Sequence, residues 1–175
     1  MNKIFPLIDR ISNSSLLART VACWEEAIKK GGWVRDDLHR IPFTLLPTSY
    51  RPSIVVHTNG VAESAIVMGE ALIRNYGDNV KIDMDILISG AILHDVGKIL
   101  EYATQQDGFI KSEYGKLIRH PVSGAVIAEA VGLPPEVVHI IATHSHEGDN
   151  MSRTIESILV HHADFANFEA LGGKA

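Results

Sequence analysis

The sequence predicts an all-α protein, a bundle of helices with at most one small β-hairpin. Apolar segments of helical length follow one another along the 175-residue chain. Proline and glycine stand where such segments begin and end, as is usual at helix termini. Extended alternation of polar and apolar residues, the mark of a substantial sheet, is missing from the sequence.

The amino-terminal third is predicted to hold one helix and an irregular connection. The first helix runs over about residues 7–30 and stops at Gly31, a good carboxyl-terminal signal. Residues 33–53 contain three prolines and predict an irregular connection along the surface. A second helix is expected over roughly residues 54–76, closed by Gly77.

The remaining chain predicts four more helices and a short interruption. Asp83 is a suitable cap for a third helix that ends near Gly97. Residues 101–118 hold turn formers and two short apolar patches, which indicate a small β-hairpin or an exposed loop. Three further helices are predicted over about residues 121–131, 135–145 and 153–171.

Length and composition fit one globular domain over residues 1–175. Hydrophobic residues make up 46% and charged residues 21% of the chain, which is ordinary for a globular protein. We divide this domain into an amino-terminal helix with its proline-rich connection, residues 1–53, and a helical core, residues 54–171, that carries the candidate site.

Charge, cysteine content and the amino terminus exclude several classes of protein. The single cysteine, Cys23, leaves no intramolecular disulfide and no thiolate metal cluster. Apolar runs stay well short of the roughly 20 residues needed to cross a bilayer, and the charged start of the chain is unlike a secretory signal. We therefore expect a cytoplasmic protein without membrane contact. A net charge of -5 disfavours a general nucleic-acid binder but not a small anionic ligand.

Histidine is the unusual component, with nine residues, most of them after residue 90. In the segment AILHDVGK, His94 and Asp95 are neighbours in an apolar helix, where uncompensated polar groups are costly to bury. A metal ion would remove that cost because it binds imidazole nitrogen and carboxylate oxygen. Lys98 shares their helical face, so its ammonium could hold a substrate phosphate oxygen.

Four more residues combine a polar side chain with apolar surroundings. His57 stands at the start of the second helix, and His120 stands at the start of a later one. His144 falls on the apolar stripe of its helix, and Asp164 lies in the segment ILVHHADFANF. Each alone is more often a hydrogen-bonded core residue than a ligand. Six such residues in one chain favour a metal centre.

Three residues near these candidates are expected to assist them. Arg119 adjoins His120 and could contact an anionic substrate. His161 precedes Asp164 by three residues on the same helical face, which favours a supporting hydrogen bond to a ligand. His146 is open to two interpretations: it could be a substitute ligand or proton donor, or it could be a solvated loop residue.

The order of these residues resembles the HD superfamily of metal-dependent phosphohydrolases in its two-metal form, over roughly residues 50–170. The segments GAILHDVGKILEY, GKLIRHP and LVHHADFA are similar to the HD module of bacterial 3′–5′ exoribonucleases that join it to an OB fold. This chain departs from that pattern by reading His144-Ser145-His146 in place of paired histidines. The sequence also lacks an OB fold and the GYP segment of cyclic-dinucleotide phosphodiesterases.

The resemblance implies an HD-domain helical bundle with a metal centre. One ion would be held by His57, His94, Asp95 and Asp164. A second would be held by His120 and His144, with Asp95 bridging the two. Such nitrogen and oxygen ligands suit one or two divalent ions of Mn, Fe, Co, Ni or Zn.

The resemblance further implies a metal-dependent phosphohydrolase that cleaves a phosphomonoester or phosphodiester with metal-activated water. Asp95 and Lys98 would be the catalytic residues, and Lys98 and Arg119 would contact the substrate. The expected substrate is a small anionic phosphate ester, such as a nucleotide or short oligonucleotide, and a homodimer stays open. The alternatives are a di-iron HD-type oxygenase that cleaves a C–P or C–C bond and a non-enzymatic regulatory HD domain.

Overall fold

Helices carry most of the chain in the computed structural model, which describes residues 1–174. The elements are α1 (Ser14–Gly31), α2 (Ile54–Tyr76), α3 (Met84–Leu93), α4 (Lys98–Glu101), β1 (Tyr102–Gln105), β2 (Gly108–Lys111), α5 (Glu113–Leu117), α6 (His120–Ala130), α7 (Pro135–Thr143) and α8 (Ile155–Ala170). Short 3-10 turns cover Pro6–Arg10, Arg35–His39, Gly77–Asn79 and His146–Gly148. The predicted all-α class is confirmed.

The first helix starts later than the sequence predicted. A 3-10 turn covers Pro6–Arg10, and the chain then breaks before α1 begins at Ser14. Asn13 caps α1 by accepting hydrogen bonds from two backbone N–H groups of its first turn. Asp85 of α3 accepts from the backbone N–H groups of Ser12 and Asn13, at 2.9 and 2.8 Å. This contact between residues more than seventy apart in the chain stabilises the non-helical backbone between the 3-10 turn and α1. The prediction of one helix over residues 7–30 was therefore wrong at its start.

The connection over residues 33–53 is irregular, as predicted, but it does not simply follow the surface. It contains one 3-10 turn and an isolated bridge between Pro42 and Ser53. Leu38, Ile41 and Phe43 are almost fully buried. The segment therefore contributes to the core, and it delivers Phe43 to the candidate site.

The third helix ends at Leu93, four residues earlier than predicted. The chain then forms a turn with two hydrogen bonds of the 3-10 type, each between residues three apart. Val96 N–H donates to the Leu93 carbonyl at 3.0 Å, and Lys98 N–H donates to the Asp95 carbonyl at 2.9 Å. Helix α6 passes so close that a Cβ on Gly97 would lie 2.2 Å from a backbone carbonyl oxygen. His94 and Asp95 therefore lie in a turn at the helix end rather than within the helix.

The predicted hairpin is present, with β1 and β2 antiparallel and Tyr102 paired with Lys111. The buried apolar residues form one cluster that includes Phe5 and Trp24 of the amino-terminal segment together with Leu93 and Val160 of the later helices. Helices α2, α3, α7 and α8 pack together around this cluster, and each supplies or directly precedes a residue of the candidate site. Among residues 1–174, none of the helices is both long and apolar enough to cross a membrane.

Candidate metal centre

All six predicted ligands meet at one point between the helices. His57 comes from α2, His94 and Asp95 from the turn after α3, and His120 from the first residue of α6; His144 follows α7, and Asp164 lies in α8. They form two groups, His57 with His94 and Asp164, and Asp95 with His120 and His144. Within each group one potential ligand atom per residue lies within 4.8 Å of the others.

Asp95 faces both groups at once. Its Oδ2 lies 3.5 Å from Nε2 of His57 and 3.4 Å from Nε2 of His94. Its Oδ1 lies 3.3 Å from Nε2 of His120 and 3.6 Å from Nε2 of His144. One carboxylate thus offers a separate oxygen to each group, which is the arrangement required of a bridging ligand.

Asp164 completes the first group from the opposite helix. Its Oδ1 lies 3.0 Å from Nε2 of His57 and 3.8 Å from Nε2 of His94. Burial would raise the pKa of Asp164, but the hydrogen bond from His57 and the neighbouring His94 outweigh burial and lower it. The carboxylate is therefore ionised and available to a cation at neutral pH.

Several of the converging nitrogen and oxygen atoms lack a hydrogen-bond partner and are suited to bind a divalent metal ion. Among residues 1–174, Nε2 of His94, Nε2 of His144 and Oδ1 of Asp95 are buried polar atoms without a hydrogen-bond partner. Buried unpaired polar atoms cost free energy, and here they converge from several helices on the same small space. A cation that takes imidazole nitrogen and carboxylate oxygen would satisfy them.

Two of the imidazoles are oriented by their own helix ends. Nδ1–H of His94 donates to the Ala91 carbonyl at 2.7 Å, and Nδ1–H of His144 donates to the Ile141 carbonyl at 2.8 Å. Each acceptor lies three residues earlier, in the last helical turn, where carbonyls lack partners along the helix. These bonds fix the tautomer that leaves the Nε2 lone pair facing the centre.

His120 is oriented by Glu101, a residue that the sequence analysis missed. Oε2 of Glu101 accepts from Nδ1–H of His120 at 2.9 Å and from the His120 backbone N–H at 3.0 Å. Burial would raise the pKa of Glu101, but the bond from His120 and the charge of Arg119 lower it to about 2. An acidic residue between Leu100 and Tyr102 was the available signal, since it repeats the pattern of a charge in an apolar segment.

Lys98 contacts the centre directly. Its Nζ lies 2.6 Å from Oδ2 of Asp95 and donates to the Phe43 carbonyl at 2.6 Å. Burial would lower the pKa of Lys98, but the Asp95 carboxylate outweighs burial and raises it. For Asp95 the signs are reversed. Burial would raise its pKa, but the charges of Lys98 and His94 hold that pKa well below its ordinary value. The ammonium therefore stays charged beside the carboxylate.

Comparison with known proteins identifies the family. The family model described as the HD domain matches residues 56–165, which is more than half of the chain. The chain belongs to the HD domain family. The matched region contains all six residues of the candidate centre, so the ligand pattern and the family model describe the same part of the fold.

Individual relatives of this HD domain are phosphodiesterases or ribonucleases by name. Dihydroneopterin 2′,3′-cyclic phosphate phosphodiesterase of Methanocaldococcus jannaschii is 31% identical over 121 residues, which cover 67% of this chain and 47% of the relative. Ribonuclease Y of Acidothermus cellulolyticus is 32% identical over 117 residues, covering 67% of this chain and 19% of the relative. Ribonuclease Y of Desulforudis audaxviator is 29% identical, and the match covers 18% of its length.

The chain thus spans less than half the length of these relatives. No solved structure matches it.

A cavity of about 330 Å³ opens beside the HD centre. Lys98, His120 and Asp164 contribute to its lining, so the centre is reached from this side. Arg119, the predicted substrate contact, also lines the cavity. Its guanidinium lies 3.1 Å from a carboxylate oxygen of Glu147 and 3.4 Å from one of Glu101.

The two remaining histidine candidates differ in position. Nδ1–H of His161 donates to the backbone carbonyl of His144 at 2.6 Å, so it contacts the main chain of a candidate ligand residue and not its imidazole. His146 lies outside both ligand groups, and its side chain is 62% exposed. Its Nδ1 lies 2.9 Å from Oδ2 of Asp149, which holds the ring at the edge of the cavity instead. The structure therefore gives no support to His146 as a substitute ligand.

Proposed function

We propose that this HD domain is a metal-dependent phosphohydrolase that cleaves a phosphate ester, most directly a phosphodiester, with metal-activated water. The observation that carries the proposal is Asp95, whose two oxygens face two separate groups of ligands. In this assignment one ion is held by His57, His94, Asp95 and Asp164. The other is held by His120, His144 and Asp95. Mn, Fe, Co, Ni and Zn all accept this ligand set.

The residues of the centre have distinct tasks in the proposed reaction. When bound, a pair of divalent ions would supply an activated water at neutral pH and would polarise the phosphoryl oxygen. Asp95 and Asp164 provide the negative charge that holds cations in place. Lys98 keeps an ammonium at the wall of the cavity, where it offsets charge that develops on the phosphoryl group. Arg119 at the rim attracts the anionic ester.

The relatives favour phosphodiester hydrolysis over the oxygenase alternative. One is a cyclic-phosphate phosphodiesterase and two are ribonucleases by name. We extend that shared chemistry to this chain as a nucleotide-like diester substrate. The cytoplasmic location, the single-domain organisation of residues 1–175 and the homodimer stay predictions of the sequence.

A metal-reconstitution assay tests this function. The chelator-treated protein is loaded with each candidate metal, its metal content is measured, and hydrolysis of bis-p-nitrophenyl phosphate and a nucleotide panel is followed. We expect hydrolysis to require metal and Asp95→Ala to lose both bound metal and activity. Asp78→Ala is the matched control because Asp78 is an exposed carboxylate in the turn after α2.

Two results would count against the proposal. Hydrolysis that persists in Asp95→Ala, with circular dichroism unchanged, would remove Asp95 from the centre. Oxygen uptake by the iron-loaded protein on a phosphonate, without hydrolysis of any ester, would favour the oxygenase instead.

A further inference from the structure

An aromatic wall stands beside the HD centre, within the same cavity. Phe43 enters from the irregular connection, and Phe165 and Phe168 come from α8, directly after Asp164. The Phe43 and Phe168 rings are 6.2 Å apart between centroids and meet edge to face. Phe165 lies 4.4 Å from the ring of His161. Neighbouring rings thus hold the wall in place before any ligand binds.

Part of this wall remains accessible. Phe165 and Phe168 are half-buried and both line the cavity, so apolar ring surface faces solvent next to charged groups. Leaving such surface open costs free energy that a flat apolar ligand would recover. Because Phe165 adjoins Asp164 in the chain, the wall lies immediately beside the candidate metal ligands.

The same cavity brings four cationic side chains together in an acidic protein. Lys98, Lys111, Arg119 and Lys174 line it, whereas the carboxylates that line it are Glu101 and Asp164. The chain as a whole carries a net charge of -5. Three of these cations are paired in the structure, Lys98 with Asp95 and both Lys111 and Arg119 with Glu101. Bound metal ions would therefore supply the excess positive charge that attracts an anion to the cavity.

The dimensions favour a compact ligand over a polymer. About 330 Å³ lies at the lower end of the roughly 300–1,000 Å³ typical of small-molecule pockets. Proteins that bind single-stranded nucleic acid use a basic groove that follows several successive phosphates. Here the cations surround one cavity that ends at the metal centre.

We propose that this cavity binds a single-residue phosphodiester with one planar heteroaromatic ring, such as a cyclic nucleotide-like phosphate. The phosphate lies at the Lys98 side, and the ring lies against Phe165 and Phe168. The inference rests on the proposed hydrolase function and narrows its substrate from nucleic acid in general to a monomer.

Three substrates test the inference on the metal-loaded protein. They are adenosine 2′,3′-cyclic phosphate, glycerol 1,2-cyclic phosphate, which lacks the ring, and a single-stranded RNA of eight nucleotides. Stacking of one base on aromatic side chains is worth about 5- to 150-fold, so we expect the adenosine ester to exceed the glycerol ester in kcat/KM by such a factor. The RNA is expected to be cleaved least efficiently.

Substitutions in the wall locate the effect. Phe165→Ala and Phe168→Ala are expected to reduce the kcat/KM advantage of the adenosine ester severalfold or more, through a higher KM. Phe168→Leu is expected to keep the fold while it removes the aromatic surface for stacking. Tyr114→Ala is the matched control, because Tyr114 is a 45% exposed aromatic residue that does not line this cavity.

Binding separates failure of this inference from failure of the hydrolase proposal. Adenosine 3′-phosphate and glycerol 1-phosphate are compared by calorimetry, with and without Phe165→Ala. Tighter binding of the adenosine compound that depends on Phe165 supports the cavity even without catalysis. Equal binding and equal kcat/KM of the two small esters, or preferred cleavage of the RNA, would overturn the monomer assignment.

Discussion

Replacement of Glu101 by glutamine tests how much Glu101 contributes to binding the ion assigned to His120 and His144. Glu101 as a residue is 2% exposed, and its carboxylate accepts two hydrogen bonds from His120, at 2.9 and 3.0 Å. Glutamine keeps the shape but removes the charge that strengthens both bonds. Its amide also places N–H groups near the cations of Lys111 and Arg119, which now lie 3.4 Å from Oε1 of Glu101.

Two separate estimates give the expected loss of metal-binding free energy in Glu101→Gln. Hydrogen bonds to a charged group contribute about 1.5–3 kcal/mol, whereas neutral ones contribute about 0.5–1.5 kcal/mol, so each bond weakens by about 1–1.5 kcal/mol. Mutations of residues that orient a metal ligand weaken metal binding by about 10- to 100-fold. At about 1.4 kcal/mol per tenfold this equals about 1.4–2.8 kcal/mol. The estimates agree if the two bonds to His120 together set its orientation.

Metal titration of Glu101→Gln measures this effect. We expect one ion to bind as in the unmodified protein and the ion at His120 and His144 to bind about 10- to 100-fold more weakly. Glu113→Gln is the control, since its carboxylate is 90% exposed and pairs only with Lys116 among residues 1–174. Two ions bound at unchanged affinity would refute the positioning role of Glu101.

Three other changes have defined outcomes. Lys98→Met is expected to retain bound metal but to lower kcat for bis-p-nitrophenyl phosphate by about 10-fold or more, because the ammonium beside the phosphoryl group is lost; unchanged kcat at full metal content would contradict this. Asp85→Asn is expected to lower the free energy of unfolding at neutral pH by about 1–2 kcal/mol, since Asp85 accepts from Ser12 and its neighbour. Burial opposes the shift, but the bonds from Ser12 lower the pKa of folded Asp85 from 3.8, so this stabilisation is present above that pH and is lost as pH falls through the lowered pKa. Urea unfolding from pH 7 downward should therefore show the two proteins converging, and a constant difference would exclude the carboxylate as its source. Gly97→Ala places a methyl group 2.2 Å from a backbone oxygen of α6, and we expect a loss of at least about 1–3 kcal/mol in thermal unfolding; an unchanged melting temperature would show that the helices can separate there without cost.

The candidate ligands could be picked out from the sequence because each places a polar group in an apolar setting. His57, His120 and Asp164 stand out in sequence for that reason alone, and the structure brings them together. The second helix was also predicted with its observed limits, because Gly77 ends it and Ser53 caps it through a local hydrogen bond. In each case the deciding interactions are between residues close in sequence or between a residue and its helix face.

The errors arose where distant parts of the chain decide the structure. The break before α1 depends on Asp85, and the turn after α3 depends on the close passage of α6. Phe43 reaches the site from a segment without helical periodicity, so no pattern announces it. Glu101 was missed because its partner, His120, lies nineteen residues away in the chain and is reached only after the hairpin.

Lys98 is a further link between the candidate centre and the aromatic wall, in addition to the packing of Phe43 on His57. One donor contacts Asp95, and another holds the carbonyl of Phe43, whose ring belongs to the aromatic wall. A displacement of the ammonium when a cation engages Asp95 would act on the hydrogen bond to the Phe43 carbonyl. Thermodynamic reciprocity then requires that, if metal loading changes the affinity for an organic ligand, the ligand changes the affinity for metal by the same factor.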